Sequence, residues 1–206
     1  MADHKHIFQQ AKTSAAPTLV LLHGTGGNER DLMPIAEMID ERAAVLGVRG
    51  NVSENGMPRF FKRLAEGVFD KDDLQKRTGE LYTFLDQAAA KYNFNRDDVI
   101  VIGYSNGANI AANLMYEYSN PFKGAMLFHA MVPQEKEALP SLENTAVFLG
   151  AGRRDPLIPA PLTEQLRADL QTAGATTDVH WTEGGHELTV EEIHAAKTWY
   201  KRMCPE

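Results

Sequence analysis

Four β-branched residues in a row, Val99-Ile-Val-Ile102, run into Gly103-Tyr-Ser-Asn-Gly107 and then into a helical pattern rich in alanine. An unbroken apolar run of this kind suits a strand buried on both faces. The glycines after it let the chain reverse tightly into a helix. A strand that feeds a helix so abruptly belongs in a parallel sheet built from βαβ units. The rest of the chain agrees. Further apolar runs are Thr18–His23, Ala43–Val48, Gly124–Phe128, Ala146–Leu149 and Asp178–Thr182. Between most of them lie helical periods over Glu29–Arg42, Lys71–Tyr92, Ala108–Tyr118, Leu162–Thr172 and Glu191–Arg202. The expected fold is α/β, a mostly parallel central sheet with helices on both faces. His6–Lys12 is read as an extra edge strand.

The chain has 206 residues, which fits one domain over 1–206 and is enough for a core without disulfides. A single cysteine, Cys204, forms no internal disulfide and no CxxC pair. The net charge of −7, with no Lys/Arg-rich run, argues against a nucleic-acid surface. The start, Met1-Ala-Asp-His-Lys-His6, is polar, and no apolar run approaches the ~18 residues of a membrane span. The expected compartment is cytoplasmic. Two segments lack period: Arg49–Asp70, with Met57, Phe60, Phe61 and Phe69, and Met131–Asn144. Long irregular loops in compact domains are often functional.

Gly103-Tyr-Ser-Asn-Gly107 matches G-x-S-x-G in the strand-then-helix setting that a nucleophile elbow requires. With 5 Ser and 16 Gly, only roughly 0.03 such matches arise by chance. The turn lifts the Ser105 hydroxyl above the sheet edge, and glycines flank it because side chains there would collide. Serine needs a base. Of the histidines after Ser105, His186 in Glu183-Gly-Gly-His186 lies in a loop at the carboxyl end of the last strand, where open α/β sheets place ligands. His180 and His194 fall inside a strand and a helix, and His129 follows a strand and could line the site. Asp155, in Arg154-Asp155-Pro156, ends the preceding strand region and is the candidate acid, ahead of Asp178 and Glu183. The backbone N–H groups of Thr25 and Asn106 are the candidate oxyanion hole, because His23-Gly-Thr-Gly-Gly27 follows the first apolar run. His23 is read as bracing that loop. The same loop fails as a P-loop and as a dinucleotide fingerprint, since no Gly-Lys-Ser/Thr and no third glycine follow. His4 and His6 sit in a terminus expected to fray, so no metal site is assigned there.

On Leu22-His-Gly-Thr-Gly-Gly-Asn28, Gly103-Tyr-Ser-Asn-Gly-Ala-Asn109, Arg154-Asp-Pro156 and Gly184-Gly-His186, the chain resembles the phospholipase/carboxylesterase family, which includes the acyl-protein thioesterases. It is most similar to small bacterial carboxylesterases linked to hydroquinone and catechol resistance. The resemblance covers nearly the whole chain. It implies an α/β-hydrolase fold without a large lid, esterase activity on small-molecule esters, no cofactor and often a homodimer. Acyl-protein thioesterases read Gly-Phe-Ser-Gln-Gly-Gly at the elbow, so thioester substrates do not carry over. The expected chemistry is ester hydrolysis through an acyl-enzyme on Ser105, with Phe60, Phe61, Met131 and Leu157 as candidate pocket walls. The short insertions point to an open site for short acyl chains. Two other readings stand beside it: a thioesterase or lysophospholipase-like hydrolase, and a ligand-binding homologue without catalysis.

Overall fold

The structure is a computed structural model and describes residues 4–13 and 16–205. The polar start Met1-Ala-Asp3 lies outside the described residues. Seven strands form one sheet: β1 (His6–Gln9), β2 (Thr18–Leu22), β3 (Ala44–Val48), β8 (Val99–Tyr104), β9 (Gly124–Phe128), β10 (Ala146–Gly152) and β11 (Thr176–Thr182). Their order is β1-β3-β2-β8-β9-β10-β11. Among the described residues only β1 runs antiparallel in this sheet, on the β3 edge.

Alternate residues of the central strands face opposite layers, and both layers are apolar. Val20, Leu22, Val99 and Val101 share a core with α2 (Lys71–Tyr92), α3 (Asn106–Glu117) and α4 (Ala160–Thr172). Leu19, Leu21, Ile100 and Ile102 pack against α1 (Met33–Ile39) and α5 (Val190–Met203). Burial on both faces is why these strands carry unbroken apolar runs instead of alternation.

The elements depart from the sequence reading in instructive places. α1 starts at Met33, not Glu29, because Asn28 and Asp31 close a side-chain-capped turn first and Pro34 then seeds the helix. α3 begins at Asn106, immediately after the elbow. The amino-terminal histidines are not frayed. His6 donates from Nδ1 to the His4 carbonyl at 2.6 Å and accepts from the Tyr92 hydroxyl at 2.8 Å, while His4 donates to the Arg49 carbonyl at 2.9 Å.

The stretch 49–70 is not irregular. It folds into two small hairpins, β4 (Val52–Glu54) with β5 (Met57–Arg59), and β6 (Arg63–Ala65) with β7 (Val68–Phe69). The first turns through Asn55 and Gly56, both at positive φ, as tight hairpins prefer. No helix lies in this segment. The loop 131–144 is pinned to α3 by Gln134, which donates to Asn113 and Glu117, and by Lys136, which donates to the Tyr116 carbonyl.

Phe60 and Phe61, expected as pocket walls, are fully buried in the core beneath these hairpins. Phe60 packs on His23 (4.9 Å between ring centroids) and Phe61 on Phe69 (4.9 Å). The apolar rings sink while the backbone of the segment faces the elbow. Phe60→Ala is therefore expected to cost about 3–5 kcal/mol of stability, as a large-to-small core change does. Urea unfolding of the variant measures it.

Candidate active site

The elbow depends on close backbone packing. A Cβ at Gly107 would lie 2.0 Å from the Leu22 carbonyl, and one at Gly103 would lie 2.8 Å from Ala108 Cα. Only glycine allows α3 to start this close to β2. Ser105 takes φ 51°, a left-handed conformation that a β-carbon disfavours. It is held there by its N–H, which donates to the Phe128 carbonyl at 2.9 Å. One strand further on, His129 repeats the device, with φ 54° and its N–H donating to the Gly150 carbonyl at 2.8 Å. The sheet's hydrogen bonding thus continues one residue past two adjacent strand ends and fixes both side chains.

Three side chains from separate strand ends meet there. The Ser105 hydroxyl lies 2.9 Å from His186 Nε2, and His186 Nδ1 lies 2.7 Å from Asp155 Oδ2. The loops carrying Asp155 and His186 are laced together. Arg153 and Arg154 donate backbone N–H groups to the Thr182 and Gly184 carbonyls, and the Arg154 guanidinium donates to the Glu183 carbonyl. The Tyr104 hydroxyl donates to the His186 carbonyl at 2.8 Å, which steadies the imidazole loop. A serine, an imidazole and a carboxylate so joined can pass a proton from the hydroxyl to the ring and stabilise the resulting imidazolium.

Beside this line lies a second imidazole. His129 Nδ1 donates to the same Asp155 Oδ2 at 3.0 Å, and its Nε2 lies 3.1 Å from Glu192 Oε1. That second contact is bent away from a straight hydrogen bond, so charge more than direction holds it. His129 and Glu192 are fully buried. Burial alone would lower the His129 pKa, but Glu192 and Asp155 outweigh it and raise it above the ordinary imidazole value. Burial alone would raise Glu192, but His129 and the Thr189 cap hold it below the ordinary carboxylate value. Burial would likewise raise Asp155, yet His186 and the N–H groups of Ile158 and Leu157 keep it below its ordinary value. The cluster is therefore two carboxylates bridged by one imidazole ring, whose charged form they favour. Two histidines and an aspartate also lie close enough here to hold a metal ion, but the aspartate's lone pairs are already taken by four donors.

Near Ser105 the first glycine-rich loop is held by the β5 strand. Gly26 donates to the Pro58 carbonyl at 2.9 Å, Arg59 donates to the Thr25 hydroxyl at 2.7 Å, and the Phe60 N–H donates to Asn106 Oδ1 at 2.7 Å. His23 donates to the Gly24 carbonyl and accepts from the Gly50 N–H, so it braces the loop. Among the described residues the Thr25 amide has no acceptor. Asn106 stands at the first position of α3, where helix N–H groups lack an intrahelical partner.

Thr25, Ser105, Asn106 and His186 line one open cleft of about 430 Å³. Of the candidate pocket walls, Met131 and Leu157 line this cleft, and Phe60 and Phe61 do not. Arg59, Arg63, Phe69, Asn109 and Ile158 also line it and were not singled out from the sequence. Asn109 had a usable signal, one helical turn after Asn106. Glu192 was legible only as the fourth residue of a capping box begun by Thr189. His180 pairs at the surface with Glu191, and His194 is exposed on α5. Among the described residues no helix is long and apolar enough to cross a membrane.

Residues 3–203 match the phospholipase/carboxylesterase family. The chain is 52% identical over 197 residues to the Bacillus subtilis (strain 168) protein MhqD, covering 96% of this chain and 98% of that one. The Bacillus cereus carboxylesterase crystal structure superposes with a TM-score of 0.96 at 52% identity, over 98% of this chain and 95% of that one. The structure of YahD with malic acid superposes at 0.92 and 33% identity, over 98% of this chain and 100% of that one. The sheet and its flanking helices are thus those of the α/β-hydrolase fold.

The buried cluster sets a pH dependence of stability. Glu192 and Asp155 have lowered values in the folded state, so their contribution is present above about pH 4 and is lost as pH falls through the folded values. His129 has a raised value, so its contribution is complete below about pH 6.5 and fades as pH rises through the folded value. The cluster's own contribution to the melting temperature, followed from pH 3 to 9, should therefore be largest on the mildly acidic side, where the lowered values of buried His4 and His23 act in the opposite sense. His129→Asn, which keeps a residue tolerant of left-handed backbone, should flatten the alkaline side of that profile. An unchanged profile in the variant refutes the assignment.

Proposed function

The chain belongs to the phospholipase/carboxylesterase family, and on that footing we propose that it hydrolyses small carboxylic esters through an acyl-enzyme on Ser105. The observation that carries this reading is the unbroken line from Ser105 Oγ to His186 Nε2 at 2.9 Å and from His186 Nδ1 to Asp155 Oδ2 at 2.7 Å. His186 takes the hydroxyl proton as Ser105 attacks the ester carbonyl. Asp155 holds the tautomer and stabilises the imidazolium. The Thr25 and Asn106 N–H groups receive the oxyanion at the start of α3, where the helix favours negative charge. His186 then protonates the leaving alcohol, and a water activated by the same ring hydrolyses the acyl-enzyme.

The cleft supports small substrates. It is bounded by short hairpins and by Met131, Leu157 and Ile158, without a covering helix among the described residues. Phe69 adds an aromatic wall backed by Phe61.

With 4-nitrophenyl acetate, Ser105→Ala is expected to lose at least about 10³-fold in kcat, as removal of a nucleophile does. An arylphosphonate should add one phosphonyl group to the wild type, located at Ser105 by peptide mass spectrometry, and none to the variant. Equal turnover by the two proteins defeats the proposal.

A further inference from the structure

The wall of the cleft is rich in hydrogen-bond donors. Arg59 and Arg63 both line the cavity that holds Ser105. They share one internal counter-ion, Glu54, which accepts from Arg59 Nη1 at 3.2 Å through one oxygen and from Arg63 Nε at 2.9 Å through the other. Arg59 spends its other bonds on the Thr25 hydroxyl and the Phe61 carbonyl. Among the described residues Arg59 Nη2 and both terminal nitrogens of Arg63 have no acceptor. Burial and the neighbouring Arg63 disfavour charge on Arg59, and Glu54 only partly answers them. Two guanidinium ions against one inner carboxylate leave one positive charge unpaired on the inner wall, with Glu66 as the only other charged acceptor among the cleft's lining residues, out at the solvent-exposed turn.

Two amides add uncharged donors. Asn106 Oδ1 accepts from the Phe60 N–H, and Asn109 Oδ1 accepts from the Met131 N–H at 2.9 Å. A backbone N–H can only donate, so each contact fixes the carbonyl end of the amide and leaves the NH₂ end free. Asn106 Nδ2 is buried with no partner, and an unpaired buried donor is costly unless a ligand satisfies it. Against these donors the cleft sets one further acceptor of full charge, the exposed Glu66 in the outer hairpin turn.

We infer that the cleft selects esters bearing a second, free carboxylate, which pairs chiefly with Arg63, and with the unpaired Nη2 of the largely buried Arg59 where the cleft reaches it, while the ester carbonyl sits at Ser105. A guanidinium fork matches a carboxylate in shape as well as charge. The inference deepens the ester-hydrolase reading and rests on it for turnover, but not for binding. The carboxylate can belong to the acyl half or to the alcohol half of the ester.

Two pairs of alkyl esters separate these cases, followed by acid release in a pH-stat and normalised to hydroxide-catalysed rates. Monomethyl succinate is compared with methyl pentanoate, and acetoxyacetate with propyl acetate. In one pair the carboxylated member should exceed its neutral partner by about tenfold in kcat/KM, the size expected of a charge-assisted contact. Arg63→Gln should collapse that ratio, and Glu66→Gln should raise it. Calorimetry with succinate alone should show binding to the wild type that weakens in Arg63→Gln. Ratios near one in both pairs, or ratios that neither substitution moves, overturn the inference; so does an absence of succinate binding. Failure of the wild type to hydrolyse either neutral ester strikes the hydrolase reading instead, and the succinate titration then decides the subsite by itself.

Discussion

An ionised carboxylate almost wholly out of water must be surrounded by donors or it unfolds its own site. Asp155, with 1% of its side chain exposed, meets that demand with four: the N–H groups of Leu157 and Ile158 on one oxygen, His186 and His129 on the other. The donors come from the loop after β10, the loop after β11 and the end of β9. Desolvating such a group without partners costs several kcal/mol. The ends of three neighbouring strands are therefore constrained by one anion, and the imidazole that touches Ser105 has its position set from behind. Glu192 extends the same logic into α5, where its second oxygen closes the helix cap on Thr189.

Much of the sheet was legible because strands buried on both faces leave continuous apolar runs, and these were found within a few residues of their limits. The edge strand at His6–Gln9 was found as well, although its burial is only partial. The hairpins over 52–69 were not. Strands of two or three residues show no period, and the turn glycines Gly56 and Gly67 do not by themselves mark the short strands on either side of them. The aromatic pair Phe60-Phe61 misled for a related reason. A loop sequence does not say which way its rings point, and here they complete the core.

The Ser105, Asp155 and His186 positions were legible from chain order and from their places at strand ends, since both are properties of sequence. The partners of those residues were not. Nothing in the string marks His129 as sharing the Asp155 oxygen, or Glu192 as lying beneath it, because those contacts depend on how α5 packs across the sheet. Nothing in the string singles out Arg59 and Arg63; only the fold shows that one is buried and that both border the cleft.

The two hairpins are tethered very differently. The inner one is bolted to the elbow through the Phe60 amide and to the first glycine-rich loop through Pro58 and Arg59. The outer one leaves Leu64 and Val68 in solvent and turns at a glycine with open space around it. The tip of the outer hairpin, from Leu64 to Val68, can therefore vary in length and charge at little structural cost, whereas its base stays anchored by Arg63 on Glu54 and Phe69 on Phe61.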